Sequence, residues 1–212
     1  MENGNLKRRA FIATLWRVGE VGGRQLLSLI VTTILARLIY PEQYGLIAML
    51  SIFMAVADTF IDSGVSTALI RKNNRTQADC STVFYFNLSV SVVAYVILFF
   101  SAPLIARFYE MPELQAILRV SALALIINAV GSIQRTLLSA DLNFKLVTQV
   151  NLVSMVVAGV VGIVMAYHGF QVWALVCHHL TLSIVGTVLI YIFAKWRPTL
   201  EFSWMSLREF FG

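Results

Sequence analysis

Charge is what this chain has least of. Only 13% of its 212 residues are Asp, Glu, Lys or Arg, against 58% hydrophobic residues and a mean hydropathy of +0.79. A soluble domain carries roughly 25% charged residues, so a water-soluble globule is excluded and an integral membrane protein is indicated. Cysteine is almost missing too. Cys80 falls in an expected cytoplasmic segment and Cys177 inside the last expected helix, so no disulfide framework is expected. The sequence contains no G-x-x-x-x-G-K-[ST] phosphate loop, no zinc-ligand spacing and no D-x-D cluster in a loop. Those absences weigh against an ATP-driven pump and a membrane glycosyltransferase. His178 and His179 are adjacent on a helix, point to different faces and make a poor metal pair.

Long apolar runs are what the chain has in abundance. VVAYVILFF and LVSMVVAGVVGIVMA are apolar on every face, which fits spanning helices and not the alternating segments of about 10 residues that build a barrel. The runs predict an all-α, polytopic membrane bundle of about six spanning helices, at about 11–39, 44–70, 83–107, 114–138, 148–167 and 172–194. Tyr40-Pro41-Glu42, Glu110-Met111-Pro112 and Tyr167-His168-Gly169 mark turns. Thr76 and Asp79 are spaced as a capping box for the third helix. Gly19 with Gly23, and Gly159 with Gly162, suit close helix packing.

With the N-terminus cytoplasmic, the inner segments collect Lys7, Arg8, Arg9, Arg71, Lys72, Arg75, Arg135, Lys145, Lys195, Arg197 and Arg208, leaving Arg37 and Arg107 for the outer turns. This positive-inside asymmetry divides the chain into a cytoplasmic N-terminus (1–10), a six-helix transmembrane lobe (11–194) and a cytoplasmic linker with the start of a further helix (195–212).

The first expected helix nevertheless reads RVGEVGGR at 17–24. If it spans from Arg9 to Arg37, Arg24 lies near the bilayer centre, with Glu20 about 4.5 Å and Arg17 about 9 Å toward the cytoplasm. Spacings of three and four put them on one face. The same arithmetic places Asp58 and Asp62 on one face of the second helix at matching depth, and Arg119 about 7 Å to the outer side of the fourth helix's midpoint. A charge at the bilayer centre costs about 2.5–3.5 kcal/mol, so these groups are expected to face a bundle interior or a watery cavity. Either they mark a transport path or they form an ion-pair network that locks two helices together.

LARLIYPEQYGLIAML (35–50), FIDSGVSTALIRKNN (60–74), APLIARFYEMPEL (102–114), HGFQVWALV (168–176) and KWRPTLEFSWMSLREFFG (195–212) resemble the polysaccharide flippases of bacterial lipopolysaccharide and exopolysaccharide assembly. These belong to the multidrug/oligosaccharidyl-lipid/polysaccharide exporter superfamily. Where that family usually reads G-x-G-x-W-A-L, this chain carries Gly169 and then Gln171 in place of the second glycine. The resemblance implies the amino-terminal lobe of a two-lobe, multi-pass transporter of the bacterial inner membrane. Such a protein is no enzyme and needs no cofactor or metal. It moves a polyprenyl-diphosphate-linked oligosaccharide by alternating access, with Arg17, Arg24 and Arg119 as diphosphate ligands. Glu20, Asp58 and Asp62 would serve a coupling cation or an ion-pair network. Its implied partners are the lipid-linked glycan, membrane lipid, a carboxy-terminal lobe and the polysaccharide assembly machinery, and no nucleic acid. A cation-coupled drug exporter of the same superfamily and a non-transporting membrane scaffold are the alternatives.

Overall fold

The computed structural model describes residues 22–61, 69, 75–140, 144–194, 196–201, 203 and 204. Residues 22–38 form α1, followed by α2 (Pro41–Ile61), α3 (Gln77–Phe108), α4 (Glu113–Ser121), α5 (Leu123–Ala140), α6 (Phe144–Tyr167) and α7 (Val172–Phe193). No β-strand occurs among the described residues. Among the described residues five units are long and apolar enough to cross a bilayer: α2, α3, the combined stretch Glu113–Ala140, α6 from Lys145, and α7. This is the expected all-α membrane bundle. Of the expected first two helices, 11–39 is described only from residue 22 and 44–70 only to Ile61, apart from Leu69.

Two boundaries differ from the expected ones for physical reasons. The third helix starts at Gln77, because the predicted capping box forms: Asp79 N–H donates to Thr76 Oγ1 at 3.1 Å and Thr76 N–H to Asp79 Oδ2 at 3.0 Å. Its 32 residues at about 1.5 Å each make a rod of about 48 Å, longer than a hydrocarbon core of about 30 Å. Hydropathy marked only the part inside the apolar slab. The expected fourth helix is in fact two, α4 and α5, interrupted at Ala122, whose N–H bonds the Leu118 carbonyl at 2.9 Å.

The helix ends show why Gln171 stands out. At the end of α6 the Phe170 N–H bonds the Met165 carbonyl and Gly169 takes a φ of 80°, the left-handed closure that glycine adopts without cost. The next turn runs Phe170 to Trp173, closed by Trp173 N–H to Phe170 O at 2.9 Å, with Gln171 at φ 45° and ψ −120°. Those angles belong to the first central position of a type II′ turn, where a side chain is strained and glycine is favoured. Gln171→Gly is therefore expected to stabilise the protein by roughly 1 kcal/mol, read as a raised thermal midpoint in detergent. A lowered midpoint would mean that the Tyr40 N–H to Gln171 Oε1 contact, 3.4 Å long, outweighs the strain.

The bundle is held by small apolar clusters at successive depths. Leu46 and Leu50 of α2, Ala102 and Ala106 of α3, Leu114, Ile117 and Leu118 of α4, and Val172 and Val176 of α7 form the one beside the 109–112 turn. Near the opposite end, Cys80, Val83 and Phe84 of α3 meet Ile133 of α5, with Trp196 packed against them. Helices α6 and α7 pair most extensively, α5 lies against both α7 and α3, and α1 joins α6 through Val31, Leu35 and Ala166. The close α6 contacts depend on glycine: a Cβ on Gly162 would lie 2.9 Å from His178 Cβ, and one on Gly159 2.8 Å from Val31 Cγ2. The packing role expected of that glycine pair is what these distances show, whereas a Cβ on Gly23 meets nothing within 4 Å among the described residues and Gly19 lies outside them. Large apolar side chains on the outer surface, such as Phe100, Leu104 and Phe108 at 67–81% exposure, suit contact with lipid tails.

Candidate functional site

Four helices converge on a polar cavity of roughly 410 Å³. Helix α1 contributes Arg24, Gln25 and Ser28, α5 contributes Asn128 and Arg135, α6 contributes Asn151 and Ser154, and α7 contributes His179, Ser183 and Gly186. Arg24, Gln25, Asn128 and His179 are exposed at the rim, Arg135 and Asn151 are half-buried, and Ser154, Ser183 and Gly186 form the buried floor. Asn151 and Ser154, one helical turn apart on α6, and His179, Ser183 and Gly186 on α7 occupy the middle of their helices, so the cavity lies at bilayer depth.

Arg135 is the centrepiece of this wall. Its Nη1 donates to Asn151 Oδ1 at 3.4 Å, and its Nη2 fits where Gly186 has no side chain: a Cβ there would lie 2.9 Å from Nη2 and 3.5 Å from Ser154 Oγ. Ser154 spends its own hydroxyl on the Val150 carbonyl at 2.7 Å, leaving its oxygen free to accept from the cavity side. Among the described residues the lining thus presents two guanidinium groups, one imidazole, amides and hydroxyls, and no carboxylate. Such a donor-rich wall, desolvated on one side, suits a bidentate anion such as a phosphate ester.

The sequence-predicted residues fall into three groups. Arg24 lines this cavity, and Asp58 lies on α2, which contributes none of its lining residues. Arg119 is not among the lining residues. Its Nε donates to the Phe99 carbonyl at 3.2 Å and its guanidinium lies 4.2 Å from the centroid of the Phe99 ring. That carbonyl is the one whose helical donor would be residue 103, which is Pro103, so Arg119 supplies a bond that α3 lacks. Arg17, Glu20 and Asp62 lie outside the described residues.

Sequence reasoning missed Arg135, Asn151, Ser154 and His179. Arg135 had been counted among the inner-loop charges, but it lies within α5, which continues to Ala140, and its side chain turns into the cavity. The two histidines do point apart, His178 against Gly162 and His179 into the cavity. Among the described residues no cluster of His, Cys, Asp and Glu could hold a metal ion.

A bundle whose described helices include five long and apolar enough to cross a bilayer is the architecture of a polytopic integral membrane protein. The chain belongs to the family described as polysaccharide biosynthesis protein, whose pattern matches residues 34–212. It is 28% identical over 184 residues to the lipopolysaccharide biosynthesis protein WzxC of Escherichia coli K12, covering 85% of this chain and 37% of that one. It is 24% identical over 188 residues to the succinoglycan biosynthesis transport protein ExoT of Rhizobium meliloti, covering 89% and 38%. With the teichuronic acid biosynthesis protein TuaB of Bacillus subtilis it shares 26% identity over 158 residues, covering 74% and 33%. The chain therefore spans under two-fifths of the length of these curated relatives, and it is a multi-pass bacterial membrane protein. No solved structure matches it.

Proposed function

We propose that the chain is one lobe of a polysaccharide flippase that moves a polyprenyl-diphosphate-linked oligosaccharide from the inner to the outer leaflet of the bacterial cytoplasmic membrane. The observation that carries this reading is the cavity lining, in which Arg24 and Arg135 face one space and no carboxylate is among the described lining residues. An intramembrane guanidinium is expensive to keep and is retained where it meets a ligand or a counter-charge. Two of them on one cavity wall favour a dianionic head over the cationic cargo expected of a drug exporter. The names of the relatives, which refer to lipopolysaccharide, succinoglycan and teichuronic acid biosynthesis, support a glycan cargo.

In this reading the lobe rocks against a second one in alternating access, the substrate phosphates lying between the lobes near the bilayer midplane. Asp58, on α2, is the described member of a coupling group that also includes Glu20 and Asp62. A coupling cation would be exchanged there as the lobes move. Arg119 holds α3 together and is left out of the diphosphate site. The N-terminus is cytoplasmic, which puts Lys145 inside and Glu110 outside.

Complementation tests the function. In a strain that accumulates lipid-linked glycan because its own exporter is deleted, the full-length protein is expected to restore surface polymer and clear the accumulated intermediate. A Cys at Glu110 should then react with an impermeant thiol reagent added outside, and one at Lys145 should not. Accumulation that persists despite normal membrane abundance, with each glycan type tried, would sink the flippase reading.

A further inference from the structure

A second cavity lies away from the polar chamber. It is a shallow groove of roughly 350 Å³ between α5 and α7, walled by Val130, Thr187, Val188, Tyr191 and Ile192 and ending at Arg197. Thr187 does not make it polar, because its hydroxyl is spent on the Ile127 carbonyl at 3.0 Å. Val188 and Ile192 are 50% and 63% exposed, so the groove opens outward from the bundle. It runs along the last turns of α7, and Arg197 stands just past the helix end at Phe193.

Arg197 is held there by a built frame. Its guanidinium lies 5.0 Å from the Tyr191 ring centroid. Its Nη1 caps the end of α7 on the Ala194 and Trp196 carbonyls, at 2.7 and 3.0 Å. The segment carrying it is stitched to the start of α3: Gln77 Nε2 donates to Arg197 O at 2.7 Å, and Trp196 Nε1 to Gln77 Oε1 at 2.8 Å. Further along, Thr199 N–H donates to Ser81 Oγ at 3.1 Å and Ser203 N–H to Thr82 Oγ1 at 2.9 Å. Capping alone uses one nitrogen of three. The exposed Arg197 side chain lines the end of the apolar groove, with no acceptor for Nε or Nη2 among the described residues.

We propose that this groove is an anionic-phospholipid site, with one acyl chain lying along Val130, Val188 and Ile192 and the headgroup phosphate on the Arg197 guanidinium. The charge argument selects the occupant. A cation at the polar end of an apolar slot matches an amphiphile with a negative head, and a net-negative headgroup brings no ammonium to oppose the guanidinium. Trp196, beside Arg197, adds the amphipathic indole that favours the headgroup level. This site is independent of the transport reading, since it uses none of the polar-chamber residues.

The test uses the full-length protein with Trp196 as the only tryptophan near the groove, after Trp16→Phe, Trp173→Phe and Trp204→Phe and replacement of any tryptophans in the rest of the chain. It is placed in vesicles of phosphatidylcholine with or without phosphatidylglycerol, one lipid at a time carrying brominated acyl chains that quench indole emission. Brominated phosphatidylglycerol is expected to quench Trp196 with an apparent affinity about fivefold above that of phosphatidylcholine, the effect of one cation near an anionic headgroup. Arg197→Gln should erase that preference. Val188→Phe, which fills the groove and keeps the charge, should weaken quenching by both lipids. An unchanged emission maximum in unbrominated vesicles shows that the segment stays docked in each variant. Equal quenching by the two lipids, a preference that survives Arg197→Gln, or no quenching by either, as when another segment of the longer chain covers the groove, would each overturn the proposal.

Discussion

Alanine at Arg135, or at Arg24, is expected to cut glycan export by the full-length protein roughly ten- to hundredfold while leaving its amount in the membrane near normal. The magnitude follows from about 1.5–3 kcal/mol for a hydrogen bond to a charged group, and tenfold for each 1.4 kcal/mol. Abundance should hold because removing an intramembrane charge lowers the cost of insertion. The fixed setting of Arg135, with Nη1 on Asn151 and Nη2 in the space left by Gly186, makes a sharper comparison possible. Gly186→Ala puts a Cβ within 2.9 Å of Nη2, and the far end of a long side chain moves aside at little cost to the fold. Export should fall in that variant although every charge is still present. Added to Arg135→Ala, Gly186→Ala should do no further harm, since its target is already gone. Arg135→Lys keeps the charge and loses the fork, so it should recover only part of the activity. For Arg24 the competing explanation is a structural ion pair with Asp58. If Arg24→Ala combined with Asp58→Ala restores both abundance and export, the ligand role is lost. Wild-type export by a normally abundant Arg135→Ala variant would remove Arg135 from the site.

The spanning helices were legible because hydropathy over about 20 residues reports directly on the solvent around a segment. The start of α3 was legible in another way. Thr76 and Asp79 announce a cap through chemistry local to four residues, even though the hydropathy window began only later. Arg24 stood out because a charged residue inside a long apolar run is costly to keep, and the cavity does include it among its lining residues. The chamber itself could not be read off. It exists because α5, α6 and α7 present Arg135, Asn151 and Gly186 to one another, and no periodicity within a single helix states which neighbour it will face. Arg135 illustrates the failure well. An arginine five positions before the end of α5 looks like a loop charge under the positive-inside rule, and only the missing side chain of Gly186, on another helix, shows where its guanidinium goes. Arg119 fails in the opposite direction: depth arithmetic made it a pore residue, whereas its partner is a backbone carbonyl that Pro103 leaves open.

That partnership leads to the second large effect. In a regular helix the N–H of residue 103 would bond the Phe99 carbonyl, and Pro103 has none. Arg119 Nε, 3.2 Å away, fills the vacancy, and its guanidinium face covers the Phe99 ring. Arg119→Met keeps the apolar stem but leaves a carbonyl unpaired in lipid and loses the cation–π contact. The expected cost is about 2–4 kcal/mol, combining about 1–3 for the unsatisfied group with about 0.5–1 for the contact. Pro103→Ala restores the missing helical donor. In that background the carbonyl no longer depends on Arg119, so the same Arg119→Met change should cost at least about 1 kcal/mol less, within the range of coupling seen between groups in contact. Unfolding in detergent, followed for the four members of this cycle, measures the difference. Equal costs in both backgrounds would mean that Arg119 does not stand in for the proline's missing N–H. If, in addition, Arg119→Met abolished export at unchanged stability, Arg119 would return to the list of substrate ligands. With coupling of the expected sign, α3 keeps its proline because an arginine on the neighbouring helix completes its hydrogen bonding, and the membrane charge at position 119 is explained without a ligand.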